Sequence, residues 1–349
     1  MFASILVQLT NSISTTLHHY RLISRRPTIK MPSVIVFGAS GFVGVPYTRA
    51  LKQAHPNWQI TAYVRSTNPD LKTTLNVDRI ITGDFTDFEK VKAASAEYDI
   101  AVNAGNSFTS EPIAAIIAGQ QARATRGKII HISGAGNFID YGTSGNFNPE
   151  SKVWNDANEE DIRAIHKDMF NGQSDTHVLQ AEGVDTWIVC PSVVYGGASA
   201  GVKTMGIGYS LLTGNAKSLG YVPYIGDGTA IGSTTHVLDL VDFLLNISDV
   251  AAQGQAEGSP YSRYYMLETS RVAWKDLATQ LAKGMHALGV LPSAEPKNVT
   301  FEEAGEGEVK HLIGANMLIK GDRAAAVGYN ARYPSILEQI HEDLKEISI

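Results

Sequence analysis

The chain has 349 residues, 44% of them hydrophobic and 18% charged, with a formal charge of -6. That composition is globular, excludes disordered and collagen-like classes, and gives no electrostatic reason to expect nucleic acid as a partner. The single cysteine, Cys190, can form no internal disulfide, and no Cys/His cluster has zinc spacing, so no structural metal is expected.

Residues 1–31 differ in kind from the rest of the chain. The first 30 contain no Asp or Glu and carry four cations, Arg21, Arg25, Arg26 and Lys30, among many Ser and Thr. Two readings fit: a mitochondrial transit peptide, or a disordered upstream extension with no role in the fold, since Met31-Pro32 directly precedes the first strand. The second is the working reading, with a cytoplasmic location and the mitochondrion as its alternative. No apolar run approaches the roughly 18 residues of a membrane span, so no membrane partner is expected.

From Ser33 onward, short apolar runs alternate with helical patterns. Val34–Phe37 reads as a strand leading into a helix that ends near Gln53, and Gln59–Val64 reads as the second strand. Arg79–Ile81, a helix over Phe88–Ala96, Asp99–Val102, a helix from Glu111 to Arg126, and Lys128–Ile132 come next. Continuous apolar strands separated by helices predict a parallel sheet covered on both faces. Right-handed crossovers make it a doubly wound, Rossmann-type α/β fold that binds ligands at the carboxyl ends of its strands.

Beyond Ser133 the pattern loosens. A Gly/Asn-rich loop (Gly134 to Pro149) precedes a polar helix near Asn158 to Phe170 and a strand over Thr186–Cys190. Then come a strand-helix segment from Thr234 to Asn246, a strand over Tyr264–Leu267, a helix from Trp274 to Leu288 and a last helix from Pro334. With no linker-like stretch between the halves, residues 32–195 read as a Rossmann domain. Residues 196–349 read as mainly a smaller substrate lobe, interleaved with the sheet and furnished with Tyr209, Tyr221 and Tyr224.

Gly38-x-x-Gly41-x-x-Gly44 directly follows the first strand and opens a helix, the context in which such a motif holds a pyrophosphate. Gly38 would permit the tight turn, Gly41 remove an obstructing Cβ, and Gly44 let helix and strand lie close. The helix N-terminus, with Ser40, Phe42 and Val43 along the loop, would then present free N–H groups to the phosphates. Cofactor choice is read at the end of the second strand, where an acid would favour NAD and Arg the extra phosphate of NADP. Here the strand ends at Arg65, so NADP(H) is expected and NAD is the lesser alternative. Asp84 and Phe85 would border the adenine, and Asn103, Ala104 and Gly105 would lie beside the cofactor.

These residues resemble the extended short-chain dehydrogenase/reductase family of nucleotide-sugar epimerases, dehydratases and related reductases. The likeness runs through Gly38 to Gly44, Gly83-Asp84, Asn103-Ala104-Gly105 and Ile129 to Ser133, then Pro191 to Gly196 and His236-Val237-Leu238-Asp239-Leu240. It implies further cofactor contacts from Pro191 and Val194, with Tyr195 packed near the nicotinamide. A homodimer through flank helices of the sheet is also what the resemblance implies.

The family's proton-transfer pair is missing. Its Tyr carries a Lys four residues on, and none of the 14 Tyr residues here has one. An unpaired Tyr, with a pKa of about 10, is a poor acid or base near neutrality. The remaining catalytic candidates are Ser133, at the family's Ser position or one residue short of it, Tyr141 in the next loop, and His166, an imidazole of the type used for acid/base work. Three readings stay open: an NADP(H)-dependent oxidoreductase acting on a small hydroxy or keto compound, a nucleotide-sugar epimerase/dehydratase-like enzyme, and a non-catalytic NADP(H)-binding sensor.

Overall fold

A computed structural model describes residues 31–197, 206–254, 256–307 and 309–346. The expected leader or extension, residues 1–30, lies outside the described residues. Seven strands build the main sheet: β1 (Ser33–Phe37), β2 (Gln59–Val64), β3 (Arg79–Thr82), β4 (Ile100–Asn103), β5 (Gly127–Ile132), β6 (Val184–Pro191) and β7 (Tyr264–Leu267). Their order is β7-β6-β5-β4-β1-β2-β3, and every pairing is parallel. The chain winds outward from β1 to β3, then returns to β4 on the other side of β1. That reversal makes a crevice at the carboxyl ends of β1 and β4, where ligands of such sheets bind.

Five helices flank the sheet: α1 (Gly44–Ala54), α2 (Phe88–Ala96), α3 (Glu111–Gln121), α4 (Gly172–Leu179) and α5 (Val237–Gln253). Both faces are buried, as the continuous apolar strands require. Along β1, Val34 and Val36 enter one core with Val45 and Leu51 of α1 and Leu240 and Leu244 of α5. Ile35 and Phe37 enter the other, with Val91 of α2, Ile113 and Ile116 of α3 and Val178 of α4. Alternate side chains of a strand point to opposite faces, so one five-residue strand supplies both cores. Each fully buried aliphatic or aromatic side chain stabilises the fold by about 1.5–3 kcal/mol before ordering costs are subtracted.

The second, five-stranded sheet is assembled from distant pieces: Ile139–Asp140, Val193–Tyr195, Ile231–His236, Ser270–Ala273 and Asn316–Met317. The smaller lobe therefore takes strands from both halves of the chain, while α5 and β7 return to the main sheet. His236 joins the two. It ends a lobe strand and caps α5, its Nδ1 accepting the Leu238 N–H at 3.1 Å.

Around residues 158–172 the structure departs from the sequence reading, and the helix Ile207–Leu219 has no counterpart in that reading. Instead of a helix over residues 158–170 there is a single turn, Glu159–Arg163, capped by Asn158, and then a separate α4. The reason is a close approach: a Cβ on Gly172 would lie 1.9 Å from the His166 carbonyl oxygen. The chain folds back on itself there and starts a new helix. Tyr209, expected in the substrate lobe, is core, whereas Tyr221 and Tyr224 lie under the ammonium groups of Lys297 and Lys275.

Candidate active site

The loop between β1 and α1 is a closed turn. Gly41 N–H donates to the Gly38 carbonyl at 2.9 Å, and Gly38 takes φ +81°, a conformation other residues adopt only at a cost. A Cβ on Gly38 would lie 2.6 Å from the Gly105 Cα and 2.8 Å from the Ala104 carbonyl carbon, so the loops after β1 and β4 pack backbone to backbone. A Cβ on Gly41 would meet only the Gly38 oxygen, at 3.1 Å, which leaves that side of the loop open. Ser40, Phe42 and Val43 are half-buried along it.

The first turn of α1 has no acidic residue and no capping side chain. Among the described residues, no protein atom accepts from the N–H groups of Phe42, Val43 or Gly44. Three uncapped amides at a positive helix end are what a pyrophosphate requires.

The next two loops supply the adenine end. Phe85 tilts over Phe37 and stacks on Tyr63, with centroids 6.3 and 6.0 Å apart, and a Cβ on Gly105 would lie 2.6 Å from its ring. Gly38, Gly105 and Phe85 thus form one continuous floor. Arg65 stands exposed at the end of β2. The Asp84 carboxyl is held below its usual range by the N–H and hydroxyl of Thr86, both at 2.9 Å, and further by the Arg65 cation. On the far side, a Cβ on Gly206 would lie 2.4 Å from the Val194 oxygen and 3.2 Å from the Phe42 ring. Gly206 therefore lies between the phosphate loop and the strand Val193–Tyr195 that follows β6.

The three expected catalytic residues are not brought together. Tyr141 is 53% exposed and packs edge-on against His311, with centroids 5.1 Å apart. His166, its side chain 60% exposed, faces Asp168 at 3.8 Å. Ser133 does stand at the carboxyl end of β5, but its hydroxyl is engaged, donating to Asp175 Oδ2 at 2.8 Å.

Asp175 is the group that sequence reasoning missed. It lies on α4, the helix immediately before β6, with Asn171 four residues earlier at the helix cap. Fully buried, it accepts through Oδ2 from Ser133, from Asn137 Nδ2 at 2.9 Å and from the Tyr264 hydroxyl at 2.9 Å. Burial, then the Asp175 charge, pushes the Tyr264 hydroxyl well above its ordinary range. Burial and the same carboxylate likewise raise the Cys190 thiol, which is inert core. No local pattern announces it, because its partners Ser133, Asn137 and Tyr264 come from separate segments of the chain.

A neutral chain of hydrogen bonds adjoins it. Asn103 Oδ1 accepts the Gly105 N–H, which fixes the amide and makes Nδ2 the donor to Asn106 O and to His131 Nδ1, each at 3.1 Å. With Nδ1 accepting, the His131 proton sits on Nε2 and points between Ser174 Oγ at 3.2 Å and Asp175 Oδ1 at 3.4 Å. The Ser174 hydroxyl in turn donates to the Ser107 carbonyl, 2.6 Å away.

A family model described as NAD(P)H-binding matches residues 38–217, more than half of the chain. The chain belongs to this NAD(P)H-binding family. It is similar to an oxidase, ucsJ, of Acremonium sp, 25% identical over 315 residues that cover 84% of this chain and 90% of the relative. Among solved structures it is similar to the dTDP-glucose 4,6-dehydratase DesIV of Streptomyces venezuelae with NAD and TYD bound, at TM-score 0.62, 16% identity and coverage of 90% of this chain and 96% of that one. The UDP-glucuronic acid 4-epimerase of Bacillus cereus, in complex with UDP-glucuronic acid and NAD, matches at TM-score 0.60 and 13% identity, covering 90% and 99%. The fold is thus that of the epimerase/dehydratase group, as the resemblance in the sequence implied, and the residues lining the crevice fit an adenine dinucleotide.

Proposed function

We propose that this member of the NAD(P)H-binding family is an NADP(H)-dependent oxidoreductase acting on a small hydroxy or keto compound. The observation that carries the reading is the intact cradle: uncapped amides at the start of α1 above a floor of Gly38, Gly105 and Phe85. The name of the Acremonium relative, an oxidase, agrees with it. A bound nicotinamide supplies the hydride chemistry. In this reading the α1 amides hold the pyrophosphate and Phe85 covers the adenine. Arg65, though beside Asp84, pairs with the 2′-phosphate, because a guanidinium grips phosphate through paired, charge-assisted bonds.

Ser133 sets the substrate preference. Its hydroxyl proton is committed to Asp175, so it can only accept a further hydrogen bond. An accepting oxygen orients an alcohol, which has a proton to give, better than a carbonyl, which has none.

One observation favours the sensor instead. The family's Tyr and Lys pair is absent from the sequence, and the buried Asp175 beside Ser133 supplies no cation-tuned phenol in its place. To separate the readings, purified protein is titrated with NADPH by fluorescence. It is then incubated with NADP+ and alcohols, and with NADPH and ketones or sugar nucleotides, while nicotinamide absorbance is followed. Turnover with any member of the panel supports the oxidoreductase. Binding without turnover across the panel moves the assignment to the sensor.

A further inference from the structure

The carboxyl group of Asp175 is fully buried among hydrogen-bond donors. Oδ2 faces three donors, and the Asn137 amide can only donate, because its Oδ1 already accepts the Asn171 N–H at 2.7 Å. Oδ1 has no hydrogen-bond partner, yet the atom before it is the protonated Nε2 of His131 at 3.4 Å. A proton placed on Oδ1 would meet another proton. On the far side of the ring, His131 Nδ1 accepts from the Asn103 amide.

Among the described residues no Lys or Arg side chain pairs with Asp175. His131 is its one ionisable basic neighbour within 4 Å among the described residues. Asp175 lies in the first turn of α4, whose partial positive end relieves only part of the cost. A buried carboxylate without a counter-ion is expensive, and a cation arriving nearby lowers that cost. Directly above it is Ser133, at the carboxyl end of β5, one strand over from the Asn103-Ala104-Gly105 end of β4 on which the dinucleotide floor rests.

We propose that Asp175, kept anionic by the three donors on Oδ2, makes this site selective for the oxidised cofactor: it is the fixed counter-charge of a cationic nicotinamide ring, so NADP+ binds more tightly than NADPH. The inference rests on the proposed dinucleotide site and adds a redox preference to it. Together with Ser133, which prefers an alcohol, it loads the site with the pair of molecules that react by oxidation of the alcohol.

The test needs no substrate. Full-length protein is titrated by calorimetry with NADP+, NADPH and adenosine 2′,5′-bisphosphate, which carries the adenine end and no nicotinamide. Wild type is expected to bind NADP+ roughly tenfold more tightly than NADPH, the size of effect a single charge exerts across a partly screened interior. Asp175→Asn should abolish that preference and leave affinity for the bisphosphate unchanged, whereas Ser133→Ala, which keeps the charge, should retain it. A wild-type protein that binds both forms equally, or NADPH more tightly, overturns the proposal whether or not Asp175→Asn folds. A preference that survives in a folded Asp175→Asn protein does the same. Failure to bind any of the three ligands sinks the dinucleotide site itself.

Discussion

The carbonyl oxygen of Gly38 occupies the place where a Cβ on Gly44 would stand, 2.1 Å away. The two glycines are thus locked together across the turn that opens α1.

The loop glycines should separate into two classes. Gly44→Ala forces the Gly38 carbonyl and the start of α1 apart, an overpacking that costs about 1–3 kcal/mol. Gly41→Ala, with a single contact at 3.1 Å, should leave stability nearly unchanged and weaken dinucleotide binding at least tenfold. Urea denaturation and NADPH titration of both variants check this. Equal loss of stability in the two would show that Gly41 is structural.

Arg65 tests the choice of cofactor. Arg65→Ala should reduce NADPH affinity by about tenfold or more, the worth of a charge-assisted phosphate contact, and change NADH affinity little. Paired titrations with the two cofactors decide it. Equal losses would mean that the guanidinium contacts a part of the cofactor common to both.

How much of this was legible depends on how far apart the partners lie in the chain. Gly38, Gly41 and Gly44 act within one turn, and the strand before them announces its context, so the cradle could be read directly. Arg65 and Phe85 were within reach because each stands one residue or loop beyond a recognisable strand. The Asp175 site could not be read, since it joins residues 103, 131, 133, 137, 175 and 264 from five separate segments, none with a periodic signature. The smaller sheet was hidden for a related reason: strands of two residues, such as Ile139–Asp140 and Asn316–Met317, are too short to show alternation. The split after Arg163 depended on Gly172 fitting against the His166 carbonyl, a packing fact with no local cue.

Acid should weaken one fastening between α1, β2 and the start of β3. Partial burial pushes the Asp78 carboxyl up, but the Ile60 N–H at 2.7 Å and the Lys52 ammonium at 2.8 Å together outweigh it, and the net shift is downward. A carboxyl whose folded value is depressed contributes stability above its unfolded value of 3.8 and loses it as pH falls through the folded one. Because the pair is partly exposed, the contribution at neutral pH is less than about 1 kcal/mol. Wild type should exceed Asp78→Asn in stability by that margin at pH 7, and the gap should close below about pH 4. A gap that does not change with pH would assign the effect to packing alone.

The central claim is that backbone amides at the start of α1 hold the pyrophosphate of an adenine dinucleotide. The measurement that meets it most directly is equilibrium titration of the purified chain with NADP+, NADPH, NAD+ and NADH, alongside Gly41→Ala. Saturable binding of at least the NADP pair, weakened at least tenfold in the variant, is the predicted result. A chain that binds none of the four, or a Gly41→Ala variant that binds them all as tightly as wild type, would contradict it.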